Sequence, residues 1–306
     1  MGPLHVRLSS FCCREGQAEN DALAKTFLRD YIAGMENSGK TRLPFMKMHG
    51  LGNDFVVIDL RAGGEMPSAG LVTRIADRHR GVGFDQLAVI ENDREADAKL
   101  TFFNADGSLS AACGNATRCI ARHLIDESGK NRLRLRTDHA ILLAEDAGGG
   151  LTRVNMGQPV LDWQAIPIAE DIDTLHLPIP GDPVATGMGN PHMTFFVDDA
   201  EAIDLATFGP EHEHHPLYPQ RTNVEVVEVV SDHEINLRIW ERGTGPTLAS
   251  GSCSCAAAVA AARRGLTGRR VKVNVPEGGS LEIDWREDGV WMTGPTAHVF
   301  DGVWRE

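Results

Sequence analysis

The chain has 306 residues, of which 42% are hydrophobic and 24% charged, and its formal net charge is −13. This length suits two domains of about 150 residues each, and the negative balance works against non-specific binding to nucleic acid, whose phosphates the average surface repels. No apolar run approaches the roughly 18 residues of a membrane-spanning helix, so the composition predicts a soluble globular protein.

Residues 1–44 form a polar, Gly-punctuated extension with one modest amphipathic helix expected over Asp21 to Ile32. It has no apolar core of a secretory signal and reads as a leader, a vector remnant or a mis-assigned start with Met35 or Met46 as the beginning, ahead of the alternative of a partner-binding helix. The six cysteines are clustered, as in Cys12 with Cys13 and Cys253 with Cys255, and complete no zinc-ligand spacing. So few thiols point to a reducing cytoplasm. FMKMHGLGNDFVVIDL, from Phe45 to Leu60, predicts strand, turn and strand, with Asn53 free to present its amide after the Gly50 and Gly52 turn.

A helix is expected over Leu71 to Arg78, followed by GVGFDQLAVIE, a turn into a strand with Asp85 and Gln86 at its start. The strand Leu100 to Phe103 runs into the turn NADGS, which begins at Asn104 and delivers the chain to Cys113. A helix over Ala116 to Asp126 precedes three alternating strands, and the domain change is expected near the start of Gln158 to Pro183. Val184 to Asp198 then gives a strand, the turn MGNPH with Asn190 and His192, and a second strand. GPEHEHHPLYPQRTN is expected as a solvated loop, and His212, His214 and His215 within it are not taken as metal ligands. Strands over Asn223 to Val230 and Glu234 to Trp240 lead to Glu241 and Arg242, and hairpins fill the C-terminal part.

The chemistry concentrates in WERGTGPTLASGSCSCAAAVAAARRG, where Ser250, Gly251 and Ser252 stand at a loop-to-helix handover. Backbone N–H groups at such a helix start favour an anion such as a carboxylate. SAACGNATRCIARHL repeats the arrangement with Cys113, Gly114 and Asn115. A helix N-terminus can lower a thiol pKa, so Cys113 is expected to be a usable base near neutrality. No GxGxxG and no G-x-S-x-G is present. Two proton-carrying groups on opposite sides of one carbon suit racemisation or epimerisation. Without a cofactor, that chemistry needs donors to a carboxylate as it becomes enediolate-like, and Asn side chains with Arg242 are suited to hold a zwitterion.

KMHGLGNDFVVID, GFDQL, FFNADGS, ACGN with TRC, MGNPH, HP before RTN, and WERG with TLA occur in this order, and together they resemble the diaminopimelate epimerase family. The resemblance covers about residues 45 to 306. It implies an α/β (α+β) fold of two pseudo-symmetric halves, each a β-barrel-like sheet around a central helix. The expected units are the extension 1–44, a first half 45–158 plus 296–306 carrying Cys113, and a second half 159–295 carrying Ser250. It further implies cofactor-independent, metal-free interconversion of L,L- and meso-diaminopimelate by a cytoplasmic homodimer with no nucleic-acid or membrane partner.

On the same resemblance Cys113 and Ser250 take the catalytic positions. Asn53, Gln86, Asn104, Gly114, Asn115, Asn190, Asn223, Glu241, Arg242, Gly251 and Ser252 take the substrate-binding ones, and His192 stands near the site. The chain departs from the family at Ser250, where the family has cysteine, and at Ala116 and Cys253, where it has glycine. A serine hydroxyl is a far weaker acid than a thiol, whose reference pKa is about 8.5, so Ser250 predicts impaired turnover. A related racemase or dehydratase, or a catalytically silent homologue, is the alternative. Cys253 lies about one helical turn from Ser250, and its sulfur is expected to miss the serine's place by several ångströms. Cys253 and Cys255 are expected as buried packing residues.

Overall fold

The computed structural model describes residues 42–110, 113–275 and 279–305, and the helix expected over Asp21 to Ile32 lies outside them. The alternating segments become strands, and their pairing runs through one sequence of relations twice. In the first passage β1 (Arg42–Gly50) pairs antiparallel with β2 (Asn53–Asp59), β2 parallel with β3 (Gln86–Glu91), and β3 antiparallel with β4 (Ala98–Asn104). Next β4 pairs parallel with β6 (Arg132–Arg136), which continues antiparallel to β7 (Ile141–Gly148) and β8 (Leu151–Asn155).

The second passage repeats this order. β9 (Val184–Gly187) and β10 (Pro191–Val197) are antiparallel, β10 and β11 (Asn223–Ser231) parallel, and β11 and β12 (Glu234–Glu241) antiparallel. Then β12 pairs parallel with β14 (Arg270–Val275), which continues antiparallel to β15 (Gly279–Arg286) and β16 (Gly289–Gly294). Short strands β5 (Leu109–Ser110) and β13 (Gly245–Thr247) fold back on β4 and β12 at equivalent places. The two passages meet where β8 pairs antiparallel with β16, Asn155 opposite Trp291, and β17 (Ala297–Arg305) pairs with β1.

Each parallel pair needs a crossover, and in both passages the last crossover is the principal helix. These are α2 (Gly114–Ser128) and α4 (Gly251–Arg263), while α1 (Ala69–Ala76) starts at Ser68, whose hydroxyl accepts from the Leu71 N–H. One face of α2 carries Ile120, Leu124 and Ile125 into a core with Val57, Ile90, Leu133 and Leu135. A buried leucine or isoleucine stabilises by about 1.5–3 kcal/mol. α4 touches β9, β10, β11, β12, β14, β15 and β16, so the sheet curls around it. Its run of alanines suits this enclosure, because a helix surrounded by strands is apolar all round and small side chains let the strands close in. Cys253 and Cys255 are fully buried there, as their apolar neighbours led us to expect.

One expectation fails. The segment read as a solvated loop begins inside α3 (Leu205–Glu213). His212 is buried, with its ring stacked on Phe208 at 4.0 Å and its Nδ1 2.8 Å from the Phe208 carbonyl oxygen. Aromatic packing within one helical turn outweighs the Pro and charge signals that suggested solvent.

Candidate active site

Cys113 and Ser250 are the N-cap residues of α2 and α4, in similar extended conformations with φ/ψ of −146/102° and −134/126°. Glycine follows each of them for a steric reason. A Cβ on Gly114 would stand 2.7 Å from Met156 Cε and 3.2 Å from Met292 Cε, and one on Gly251 would stand 3.0 Å from Met292 Sδ and 3.7 Å from the Asn115 backbone nitrogen. Both helix starts therefore close on the side chain of Met292 and lie against each other. Two sets of first-turn N–H groups face one another there, which is an anion-binding arrangement.

The candidate side chains fall into two groups, one on each passage of the sheet, with separate hydrogen bonds in each. In the first, Asn53 at the start of β2 donates its amide to Asp85 (2.7 Å) and accepts from the Asn115 amide (3.2 Å). Gln86 at the start of β3 faces Asn104 at the end of β4, and its amide donates to Asn104 Oδ1 (3.2 Å) and to Ser110 Oγ (2.9 Å). In the second, His192 and Asn223 are register partners on β10 and β11. The Asn223 amide donates to the Pro191 carbonyl (2.9 Å), and its oxygen accepts the Arg242 backbone N–H (2.9 Å). The Arg242 guanidinium reaches the Gln220 carbonyl at 3.2 Å. Ser250 Oγ donates to Glu241 at 3.3 Å, while Gly251 and the half-buried Ser252 form the first turn of α4.

The electrostatics differ from expectation at Cys113. Its sulfur accepts the Ala116 N–H at 3.4 Å, yet its pKa is pushed up to about 12. Burial is the main cause and the Glu241 carboxylate adds to it, against the helix N–H and the Arg118 charge. The thiol is therefore held neutral, a proton donor in this state rather than a ready base. Burial likewise raises the Glu241 pKa, with the Ser250 hydroxyl working the other way. Arg118 is a fully buried cation whose Nη1 donates to Asn115 Oδ1 at 2.9 Å and whose Nε donates to the Pro295 carbonyl at 3.3 Å. A chain Asp85, Asn53, Asn115, Arg118 thus runs behind the first helix start.

Several of these partners were not singled out from the sequence. Glu225 is fully buried on β11 between His192, whose Nδ1 is 2.6 Å from Glu225 Oε1, and Thr194, whose hydroxyl donates to Oε2 at 3.2 Å. Its signal was a carboxylate two residues after Asn223 in a run of valines, hence on the same strand face. Arg118 was visible only as a charge inside the helix, and Met156 and Met292 gave no signal at all. His192, Glu225 and Cys253 bring ligand atoms within 4.8 Å of one another. Both His192 nitrogens are nonetheless engaged, Nδ1 by Glu225 and Nε2 by Asn190 at 2.7 Å, so the group is a hydrogen-bonded cluster with no ring lone pair directed at an ion.

Comparison with known proteins agrees with this architecture. The family model described as Diaminopimelate epimerase matches residues 45–161 and 184–299, which are the two passages of the sheet. The diaminopimelate epimerase of Acidiphilium cryptum is 51% identical over 264 residues, covering 85% of this chain and 95% of that protein. Among solved structures, the phenazine biosynthesis protein of the PhzF family from Bacillus anthracis superposes with a TM-score of 0.62 at 14% identity, over 86% of this chain and 99% of that one. A probable proline racemase from Agrobacterium radiobacter K84 does so with 0.61 at 15% identity, over 85% and 92%. These two likenesses show the duplicated α+β fold, and the sequence matches carry the assignment: the chain belongs to the diaminopimelate epimerase family.

Proposed function

We propose that this chain is an isomerase that interconverts L,L- and meso-diaminopimelate without a cofactor, with Cys113 and Ser250 on opposite faces of the reacting α-carbon. The observation that carries this reading is the meeting of the two helix starts at Met292, with an acid/base side chain at the N-cap of each. First-turn N–H groups of α2 and α4 hold the carboxylate and stabilise it as it gains enediolate character. Asn53, Gln86, Asn104, Asn115, Asn190, Asn223, Glu241 and Arg242 fix the remaining polar ends of the substrate, and His192 supports Asn190. The neutral Cys113 thiol gives a proton to one face while the Ser250 side removes one from the other. A hydroxyl is a poor proton acceptor near neutrality, so turnover is impaired relative to a two-thiol site.

The repeat of the sheet supports a first half of residues 45–158 plus 296–306 and a second half of 159–295, with the substrate between their helix starts. A cytoplasmic homodimer follows from the family resemblance. Among the described residues no helix is long and apolar enough to cross a membrane.

Solvent-deuterium incorporation into L,L- and meso-diaminopimelate, measured on this protein and on Ser250→Cys, tests the assignment. Exchange and full epimerisation faster in Ser250→Cys by about 10²–10⁴-fold, the usual worth of one general acid or base, are expected. Diaminopimelate binding no tighter than that of unrelated amino acids, by calorimetry, overturns it.

A further inference from the structure

Arg118 lies about one turn beyond Asn115 in α2, and it is the only arginine or lysine that is buried among the described residues. Its polar contacts are all neutral. Nη1 donates to Asn115 Oδ1 at 2.9 Å and lies 3.5 Å from Met292 Sδ, while Nε donates to the Pro295 carbonyl at 3.3 Å. Nη2 has no hydrogen-bond partner. A Cβ on Gly50 would stand 2.8 Å from Nη2, so the β1 backbone closes over the guanidinium. No carboxylate among the described residues forms an ion pair with this side chain. A cation taken out of water without a counter-charge destabilises a fold, and an apolar side chain of similar volume often serves better there.

We propose that Arg118 is a positioning residue that supplies the counter-charge for the negative charge gathered at the two helix starts, on the substrate carboxylate and on Cys113 once its proton is given. This rests on the epimerase reading above and gives the unpaired cation its partner. The Met292 side chain stands between. Its Sδ is 3.5 Å from Nη1 and 3.0 Å from the place of a Cβ on Gly251, and its Cε is 3.2 Å from the place of a Cβ on Gly114. Across such an apolar layer a fixed charge is weakly screened. The Arg118 charge already works against burial at Cys113. The carboxylate gains negative charge as it becomes enediolate-like, so the attraction grows toward the transition state.

The guanidinium also sets the direction of the neighbouring amides. Asn115 turns its Oδ1 toward a group that has only donors, which leaves its Nδ2 to donate to Asn53 Oδ1 at 3.2 Å, and Asn53 in turn donates to Asp85 at 2.7 Å. The rival reading makes Arg118 a bolt that ties α2 to the Pro295 turn between β16 and β17. The two readings differ in what a neutral side chain of similar length does. It removes a counter-charge while relieving the fold of an unpaired cation, whereas removal of a bolt loosens the fold.

The test compares the unaltered chain with Arg118→Met and Arg118→Gln, both neutral, the second still able to donate a hydrogen bond. Each is followed by urea unfolding, Cys113 alkylation with iodoacetamide at pH 8, diaminopimelate binding by calorimetry, and α-deuterium exchange as kcat and KM. A counter-charge predicts a urea midpoint in Arg118→Met no lower than in the unaltered chain. It predicts Cys113 alkylation slower by about tenfold in both variants, the effect of one pKa unit on the thiolate fraction. Binding weakens by about tenfold in both, and kcat falls by a further factor of about ten. Recovery in Arg118→Gln, or loss of folding in both variants, marks a bolt and overturns the counter-charge. Alkylation, binding and exchange that are equal in all three chains overturn the counter-charge alone. If the unaltered chain binds diaminopimelate no tighter than unrelated amino acids while alkylation still slows in both variants, the substrate assignment falls and the counter-charge to Cys113 stands.

Discussion

At the start of α2 the capping atom is a sulfur that accepts the Ala116 N–H at 3.4 Å, whereas at the start of α4 it is an oxygen that makes no cap and donates to Glu241 at 3.3 Å. The surroundings differ in sign as well. Behind Cys113 lies the buried cation Arg118, and beside Ser250 lies the carboxylate of Glu241. One backbone arrangement, used twice, therefore presents a proton donor with a cation behind it and a hydroxyl with a carboxylate beside it. Duplication supplies the geometry of two-sided proton transfer, and the side chains at each end decide which way a proton moves most easily.

The largest effect comes from removing the donor. Cys113→Ala is expected to lower α-proton exchange by about 10³-fold or more, because no second thiol stands within the first turn of α2 to replace the sulfur. Side-by-side exchange rates on both epimers check this. Loss of less than about tenfold would show that the two helix starts are not the two proton carriers.

The next largest effect sharpens the electrostatic side of the comparison. Burial raises the Cys113 pKa to about 12, so the thiolate fraction keeps growing across the accessible range. Alkylation of Cys113 by iodoacetamide, followed by mass spectrometry of its peptide, should rise by about tenfold per pH unit from pH 7 to pH 9 without a plateau. A plateau below pH 8 would mean that the helix N–H groups and Arg118 outweigh burial, and that Cys113 is the base. The sign follows from the neutral form being the one that a buried site favours.

Much of this was legible in the sequence because period-two strands, Gly-rich turns and helix starts leave local marks. Asn53, Gln86, Asn104, Asn190 and Asn223 all fall at strand ends or turns, where a polar side chain after a turn signal is easily read. Cys113 and Ser250 were found from the small residues at their helix handovers. The direction of the Cys113 shift was not legible, since it depends on how completely other segments wall in the sulfur. Glu225 was missed as the partner of His192 for the same reason: the two are 33 residues apart in the chain and meet only because β10 and β11 pair. His212 shows the opposite failure, where local Pro and charge signals suggested solvent and a long-range contact with Phe195 at 4.6 Å helped to bury the ring.

The smallest effect separates the two helix starts by packing alone. A methyl added at Gly114 would meet Met156 Cε at 2.7 Å, Met156 Sδ at 3.0 Å and Met292 Cε at 3.2 Å, so two side chains must move. At Gly251 it would meet only Met292 closely, with Sδ at 3.0 Å and Cε at 3.2 Å. Methionine adapts more readily than a branched side chain, which keeps both costs modest. Gly114→Ala is expected to destabilise by about 1 kcal/mol more than Gly251→Ala in urea unfolding. Because both methyls press on Met292, the double variant should fall short of or exceed the sum by about 0.5 kcal/mol or more. Strict additivity, or a greater cost at Gly251, would mean that the two helix starts do not share Met292 as their common wall.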